Sequence, residues 1–247
     1  MLTPSSNSVV EPWCYEILKN SPDISLHFNR VEVLRIDKDL LSLSQFQDKA
    51  MLKGFELLSH VKPSIIGWNG TSASWLGLDR DRNLIEEVHK MTGCKVVTSS
   101  LSILEALRLL KINNIGLVTP YVSSIQEKII KNFESEKFNC VSEKHFSLTD
   151  NFSFSEVSEY KISDAVESVI DNGAQAVIIL CTNLAGARVA PILEKKYGVP
   201  VLDSVFLTVW GAFRAINQDT KTLSQWCPEP SKCLKTIKGH IFDLLKF

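Results

Sequence analysis

The sequence predicts an α/β protein, and three observations lead there. Short β-rich apolar runs alternate with longer amphipathic stretches along the chain, the pattern of βα units that feed a parallel sheet. The run Val177-Ile178-Ile179-Leu180 is apolar without alternation, as a central strand covered on both faces must be. Two segments are also built alike. Ile65-Ile66-Gly67-Trp68 and Ile178-Ile179-Leu180 each lead into small polar residues and then a helical pattern, and each is followed later by a Gly-x-x-Val entry into another strand, at Gly93 and at Gly198. That repetition points to two similar α/β lobes.

In chain order, strands are expected near 26–36, 63–68, 94–98, 114–119, 138–146, 175–181 and 199–203. Helical patterns fill the gaps at about 41–61, 80–91, 101–112, 121–136, 155–172, 184–197 and 204–217. Within 101–110, Leu101, Leu104 and Leu107 recur at helical spacing, so one face is buried. The charge run Asp79-Arg80-Asp81-Arg82 reads as a solvated helix start. The stretch 147–155 has no periodicity and reads as a loop placed over a cleft. After Gln218, Cys227-Pro228-Glu229-Pro230 reads as a turn before a final helix ending near Phe247.

Composition narrows the class of function. The chain has 247 residues, 45% of them hydrophobic and 22% charged, with a formal net charge of −1. That balance gives no electrostatic footprint for nucleic acid or an anionic membrane. No apolar run approaches the roughly 18 residues that span a bilayer. The first residues, Met-Leu-Thr-Pro-Ser-Ser-Asn, lack the features of a signal peptide, so a cytoplasmic protein is expected. The six cysteines form no CxxC pair and the five histidines no HExxH or HxH spacing, which argues against zinc. There is no GxGxxG, Walker or GxSxG motif, so no dinucleotide or nucleotide cofactor site is expected from motifs.

In parallel sheets, ligands bind beyond the carboxyl ends of the strands. Four polar segments fall at such ends or in a comparable loop: Pro4–Asn7, Asn69–Ser72, Thr119–Tyr121 and Cys181–Asn183. They offer hydroxyls, amides and one thiol, and N–H groups at the following helix starts favour an anion such as a carboxylate or phosphate. One such segment alone reads better as an ordinary N-cap; four together favour a site. Cys181 is the distinctive residue, because a strand end facing a helix N-terminus is expected to lower its thiol pKa. The competing reading is a buried core cysteine, which Cys14, Cys94 and Cys140 fit; Cys227 and Cys233 lie in the tail. Trp68 and Trp75 flank the Gly70 loop and read first as core packing, second as the lining of an apolar pocket.

These residues resemble a family. Gly70-Thr71-Ser72-x-Ser74, Thr119-Pro120-Tyr121, Cys181-Thr182-Asn183-Leu184 and Tyr197-Gly198-Val199-Pro200-Val201 look like the arylmalonate decarboxylase and maleate isomerase branch of the aspartate/glutamate racemase superfamily. Pro4-Ser5-Ser6-Asn7 followed by Glu11-Pro12 resembles that branch's first loop. The resemblance implies two flavodoxin-like parallel-sheet lobes related by pseudo-twofold symmetry with the active site between them: 1–105 plus 205–247 for the first lobe and 106–204 for the second. It implies Cys181 as the catalytic residue and Asn7, Gly70, Thr71, Ser72, Tyr121, Thr182 and Asn183 as substrate-binding residues. The substrate class it implies is a small carboxylic or dicarboxylic acid.

Two departures qualify what the resemblance implies. Racemases and isomerases of this type carry a cysteine in each lobe, whereas this sequence has Gly70 where the first would stand. The Gly-Thr-Ser form is that of the decarboxylases, which protonate a carbanion from one face, but Thr182-Asn183-Leu184 is nearer to isomerase-type members. An isomerase or racemase reading and a non-catalytic carboxylate-binding reading therefore stay open beside the decarboxylase one. Only Met1-Leu2-Thr3 precede the first loop, so the first strand is expected to be very short or absent. The sequence is silent on oligomeric state.

Overall fold

Strands form where the apolar runs were placed, and parallel pairing sorts them into two sheets of the same design. The computed structural model describes residues 1–37 and 48–226. The first sheet contains β1 (Leu2–Pro4), β2 (Asn29–Val31), β3 (Ile65–Trp68) and β4 (Lys95–Thr98), in the spatial order β2-β1-β3-β4. The second contains β5 (Asn114–Thr119), β6 (Asn139–His145), β7 (Ala176–Ile179) and β8 (Val201–Asp203), in the order β6-β5-β7-β8. Every pairing is parallel, and the register is equivalent at the two inner edges, with Gly67 beside Val97 and Ile178 beside Leu202. These are the two flavodoxin-like lobes that the resemblance implied.

The first strand is present but only three residues long, held between β2 and β3. The strand expected over 175–181 stops at Ile179, which leaves Leu180 and Cys181 beyond its end. All four residues of β7 are buried, which accounts for its unbroken apolar run.

Nine α-helices lie among the described residues: α1 (Val10–Ile17), α2 (Asp48–Ser59), α3 (Ala73–Leu76), α4 (Leu78–Thr92), α5 (Ser99–Leu109), α6 (Ser123–Ser135), α7 (Glu159–Asp171), α8 (Val189–Tyr197) and α9 (Ser204–Ala215). Helix α1 was not foreseen, since eight residues containing Pro12 give too few turns for a period to show. Of the helix expected over 41–61, residues 41–47 lie outside the described part; so do the expected turn at Cys227–Pro230 and the final helix. The two Gly-x-x-Val entries have one physical cause. Gly93 (φ 70°) and Gly198 (φ 68°) end α4 and α8 in the left-handed region and donate their N–H groups to His89 O and Glu194 O at 2.8 Å each. The chain then turns directly into β4 and β8.

Helix α9 is buried along ten of its twelve residues. It packs on α5, β4 and β3 of the first sheet and reaches β8 of the second, so it stands at the junction of the two sheets. Leu2, Trp68, Ile178, Leu202 and Trp210 belong to one continuous apolar core. Among the described residues, no helix is long and apolar enough to cross a membrane.

Candidate active site

A set of matching hydrogen bonds fixes the two central loops. Thr98 and Asp203 are the last residues of β4 and β8. Each caps the next helix, with Thr98 Oγ1 accepting from Leu101 N at 3.3 Å and Asp203 Oδ1 from Phe206 N at 2.9 Å. The next residue in each lobe is a serine whose hydroxyl donates to the final carbonyl of the neighbouring strand. Ser99 Oγ reaches Trp68 O at 3.3 Å, and Ser204 Oγ reaches Ile179 O at 2.7 Å. Two residues beyond those carbonyls stand Gly70 and Cys181. The fold therefore makes Gly70 the counterpart of Cys181, and Thr71 the counterpart of Thr182.

These loops face one cleft of about 270 Å³, counting its open mouth. Its polar lining is Gly70, Thr71, Ser72, Tyr121, Cys181, Thr182 and Asn151; its apolar lining is Pro4, Ile36 and Trp68. Thr71 Oγ1 and Tyr121 Oη are 3.1 Å apart and hydrogen-bonded. The Tyr121 hydroxyl also stands close enough to the Cys181 thiol for each to shift the other's pKa. Phe154 packs edge-on against the tyrosine ring at 5.5 Å and holds it. Among the described residues, the backbone N–H groups of Thr71, Ser72 and Thr182 meet no protein acceptor. Hydroxyls and free N–H groups thus converge beside one thiol, an arrangement able to hold a carboxylate and to stabilise charge that develops on it.

The thiol itself differs from expectation. The chain after Cys181 turns through Thr182–Arg188 and α8 begins only at Val189, so the helix that follows Cys181 in sequence does not start at the sulfur. Burial dominates instead and pushes the Cys181 pKa up to about 11; the Tyr121 hydroxyl and the Asn183 and Leu184 N–H groups oppose that rise, and Asp203 adds to it. Asn183 N donates to Cys181 Sγ at 3.3 Å. The group is a protonated thiol at neutral pH, not a thiolate. Burial likewise holds Tyr121 protonated, with its pKa well above the usual phenol value. Asp203 lies fully buried nearby with Oδ2 unpaired, and burial raises its carboxyl to about 7.

Six of the eight residues singled out from the sequence meet in the cleft: Gly70, Thr71, Ser72, Tyr121, Cys181 and Thr182. Asn7 and Asn183 stand behind them and join the lobes. Asn7 Oδ1 accepts from Val9 N and Val10 N at the start of α1, while its Nδ2 donates to Thr182 Oγ1 at 3.2 Å. Asn183 Oδ1 accepts from Ser8 N at 3.0 Å, and its Nδ2 donates to Asn151 O at 2.5 Å. Ile36 and Asn151 are lining residues that the sequence did not single out. Asn151 lies in the aperiodic 147–155 stretch, whose irregularity was the only signal; Ile36 carries none. That stretch does cover the cleft, through Ile36 N to Thr149 O, Asn151 N to Leu34 O, and Asn151 Nδ2 to Ser6 Oγ at 2.7 Å. Trp68 lines the cleft, but Trp75 does not. Thr119 points away, its hydroxyl donating to Gln126 Oε1 at 2.7 Å. Cys14 is a core thiol under the first loop, accepting from Asn69 Nδ2 at 3.6 Å, its pKa pushed to about 12 chiefly by burial. Among the described residues, no group of three or more His, Cys, Asp or Glu is placed to hold a metal ion.

Comparison with known proteins shows what the chain is similar to. The family model described as arylmalonate decarboxylase matches residues 51–226. A maleate isomerase of Nocardia farcinica is 22% identical over 227 residues, covering 88% of this chain and 89% of the relative. The arylmalonate decarboxylase of Bordetella bronchiseptica is 24% identical over 163 residues, covering 64% of this chain and 67% of the relative. Among solved structures, the Nocardia farcinica maleate cis-trans isomerase with a covalently bound succinylcysteine intermediate superposes with a TM-score of 0.83 at 20% identity, covering 96% and 97% of the two chains. An arylmalonate decarboxylase structure gives 0.70 at 18% identity, covering 87% and 91%.

Proposed function

The chain belongs to the arylmalonate decarboxylase family, enzymes of cofactor-free carbon-acid chemistry, and on that premise we propose that it decarboxylates a small malonate-type acid and protonates the product from one face through Cys181. The observation that carries this reading is the asymmetry of the cleft: a buried, protonated thiol in one lobe and a glycine at its counterpart in the other.

One substrate carboxylate is held by the Thr71, Ser72 and Tyr121 hydroxyls and by the free N–H groups of Thr71, Ser72 and Thr182. The other faces the apolar lining at Pro4 and Ile36, where loss of hydration disfavours its charge. The bond between the α-carbon and that carboxylate breaks, carbon dioxide leaves, and the electron pair moves onto the retained carboxylate as an enediolate. The same donors stabilise this charge as it forms. The Cys181 proton then passes to the α-carbon, and the thiolate left behind takes a proton from solvent. A thiol with a pKa of about 11 suits this donor role better than a nucleophilic one.

The test is turnover of phenylmalonate and methylmalonate in deuterium oxide. The expected product carries deuterium on one face only, and Cys181→Ala abolishes its formation. Undiminished turnover by Cys181→Ala sinks the mechanism. Turnover of maleate in place of the malonates would favour the isomerase reading, which Thr182-Asn183-Leu184 also supports. Binding of these acids without any turnover would leave a carboxylate-binding protein.

A further inference from the structure

Gly70 is the counterpart of Cys181, yet the space beside it is not empty. A Cβ built on Gly70 would lie 2.4 Å from Trp68 Cζ2 and 2.6 Å from Trp68 Cε2, distances that real Cβ atoms essentially never show. Trp68 is wholly buried and fixed in the core, so its ring has little room to give way. The atoms met, Cζ2, Cε2 and Cη2, belong to the six-membered ring, so Gly70 packs on the indole face, and Cε2 is bonded to Nε1. That Nε1 is buried with no partner. The indole N–H groups of Trp210 and Trp226 are also buried and unpaired, but only Trp68 among these three lines the cleft. A buried donor without a partner is costly to leave unmet, and here it stands beside the Gly70–Thr71 loop where a carboxylate is to be held.

We propose that Trp68 takes the place of a side chain at position 70: its indole N–H donates to the retained carboxylate, and its ring closes the face opposite Cys181. This rests on the reading of the cleft as a carboxylate site. An indole ring can neither give nor take a proton at carbon near neutral pH. The wall it forms therefore leaves Cys181 as the sole proton donor and restricts the substrate to acids whose α-substituent fits against a flat aromatic surface.

The experiment is a titration of the ¹⁵N-labelled full chain with malonate, followed through the indole and backbone N–H signals. The Trp68 indole signal is assigned by its contact with the Gly70 α-protons, so the assignment does not depend on a variant. Malonate is expected to move that signal downfield together with the amides of Thr71, Ser72 and Thr182. In Trp68→Phe, which keeps an aromatic ring and removes the N–H, malonate is expected to bind about tenfold more weakly. If the loop amides move while the Trp68 signal stays still, the role of Trp68 is overturned and the carboxylate site stands. If neither moves at malonate concentrations up to 100-fold above the protein, both readings fall.

Discussion

The Cys181 thiol is 3% exposed and surrounded by donors, so its chemistry follows from how burial and hydrogen bonding compete. Burial wins, and the pKa rises to about 11. A raised pKa keeps the acid form present through the neutral range, and that form is lost only as pH climbs through the folded value. The limb of kcat/KM that reports the proton donor is therefore expected to be flat from pH 6 to 9 and to fall above about pH 10 on a malonate substrate. Alkylation of Cys181 by iodoacetamide should be slow at pH 7 and rise about tenfold per pH unit up to that pKa. Rapid labelling at pH 7 would contradict the burial argument. In the proposed mechanism Thr71 holds the carboxylate on which charge develops. Removing one oxyanion donor costs roughly 2.7–4 kcal/mol, so Thr71→Ala is expected to lower kcat by a few hundredfold, read under substrate saturation. The sequence singled out Cys181, because only it stands between an apolar strand and a polar loop, and the structure places it on the cleft. The sequence could not reveal the protonation state. The helix start assumed near residue 184 lies at Val189, and the desolvating neighbours come from distant parts of the chain.

Strand ends and helix caps hold the cleft in place, and two of them carry measurable consequences. Asp203 closes β8, caps α9 and is fully buried, with its carboxyl raised to about 7 from an ordinary value near 4. Between those two pH values the folded chain holds a proton that the unfolded chain has released, so stability falls as pH rises from about 4 to about 7. Asp203→Asn keeps a good capping side chain and removes the titration. The variant is expected to match the native chain near pH 4 and to melt at a higher temperature at pH 8. Equal melting temperatures at pH 8 would contradict the raised value. At the end of β3, Gly70→Ala drives a methyl group into the Trp68 ring. Overpacking of this kind costs about 1–3 kcal/mol, to be read as a lower denaturant midpoint. The elements themselves were largely legible, since β5 falls on its expected residues and most others within a few. Helix α1 was not, being too short for a period. The end of β7 was hidden because Leu180 continues the apolar run and still donates its N–H to Val118 O of β5 at 2.9 Å, one residue past the strand.

The cleft exists only because two similar lobes meet, and that junction is polar in the loops and carries a buried hydroxyl chain within the apolar core beneath them. Below the loops, the Ser99 and Thr208 hydroxyls lie 2.6 Å apart, and their two protons are shared among that contact, Trp68 O at 3.3 Å and Ser204 O at 2.7 Å. This chain links the serine that steadies Trp68 O to the serine that steadies Ile179 O. Above it, Asn183 alone touches three segments: the first loop through Ser8 N, the covering stretch through Asn151 O, and the thiol through its own N–H. None of these partners is near it in sequence except Cys181, so an asparagine after a cysteine and a threonine gave no hint of a brace. Asn183→Ala keeps the backbone N–H on the sulfur but leaves Ser8 N and Asn151 O without their partners. Each abandoned group costs about 1–3 kcal/mol where water cannot reach it, so a loss of roughly 2–5 kcal/mol is expected in urea unfolding. Because the lobes share one core and α9 spans their junction, unfolding should remain a single transition. The covering stretch, however, would lose its tie to the second lobe's own loop, and malonate affinity is expected to fall with stability. If Asn183→Ala kept native stability and affinity, these contacts would not be what holds the two halves of the cleft together.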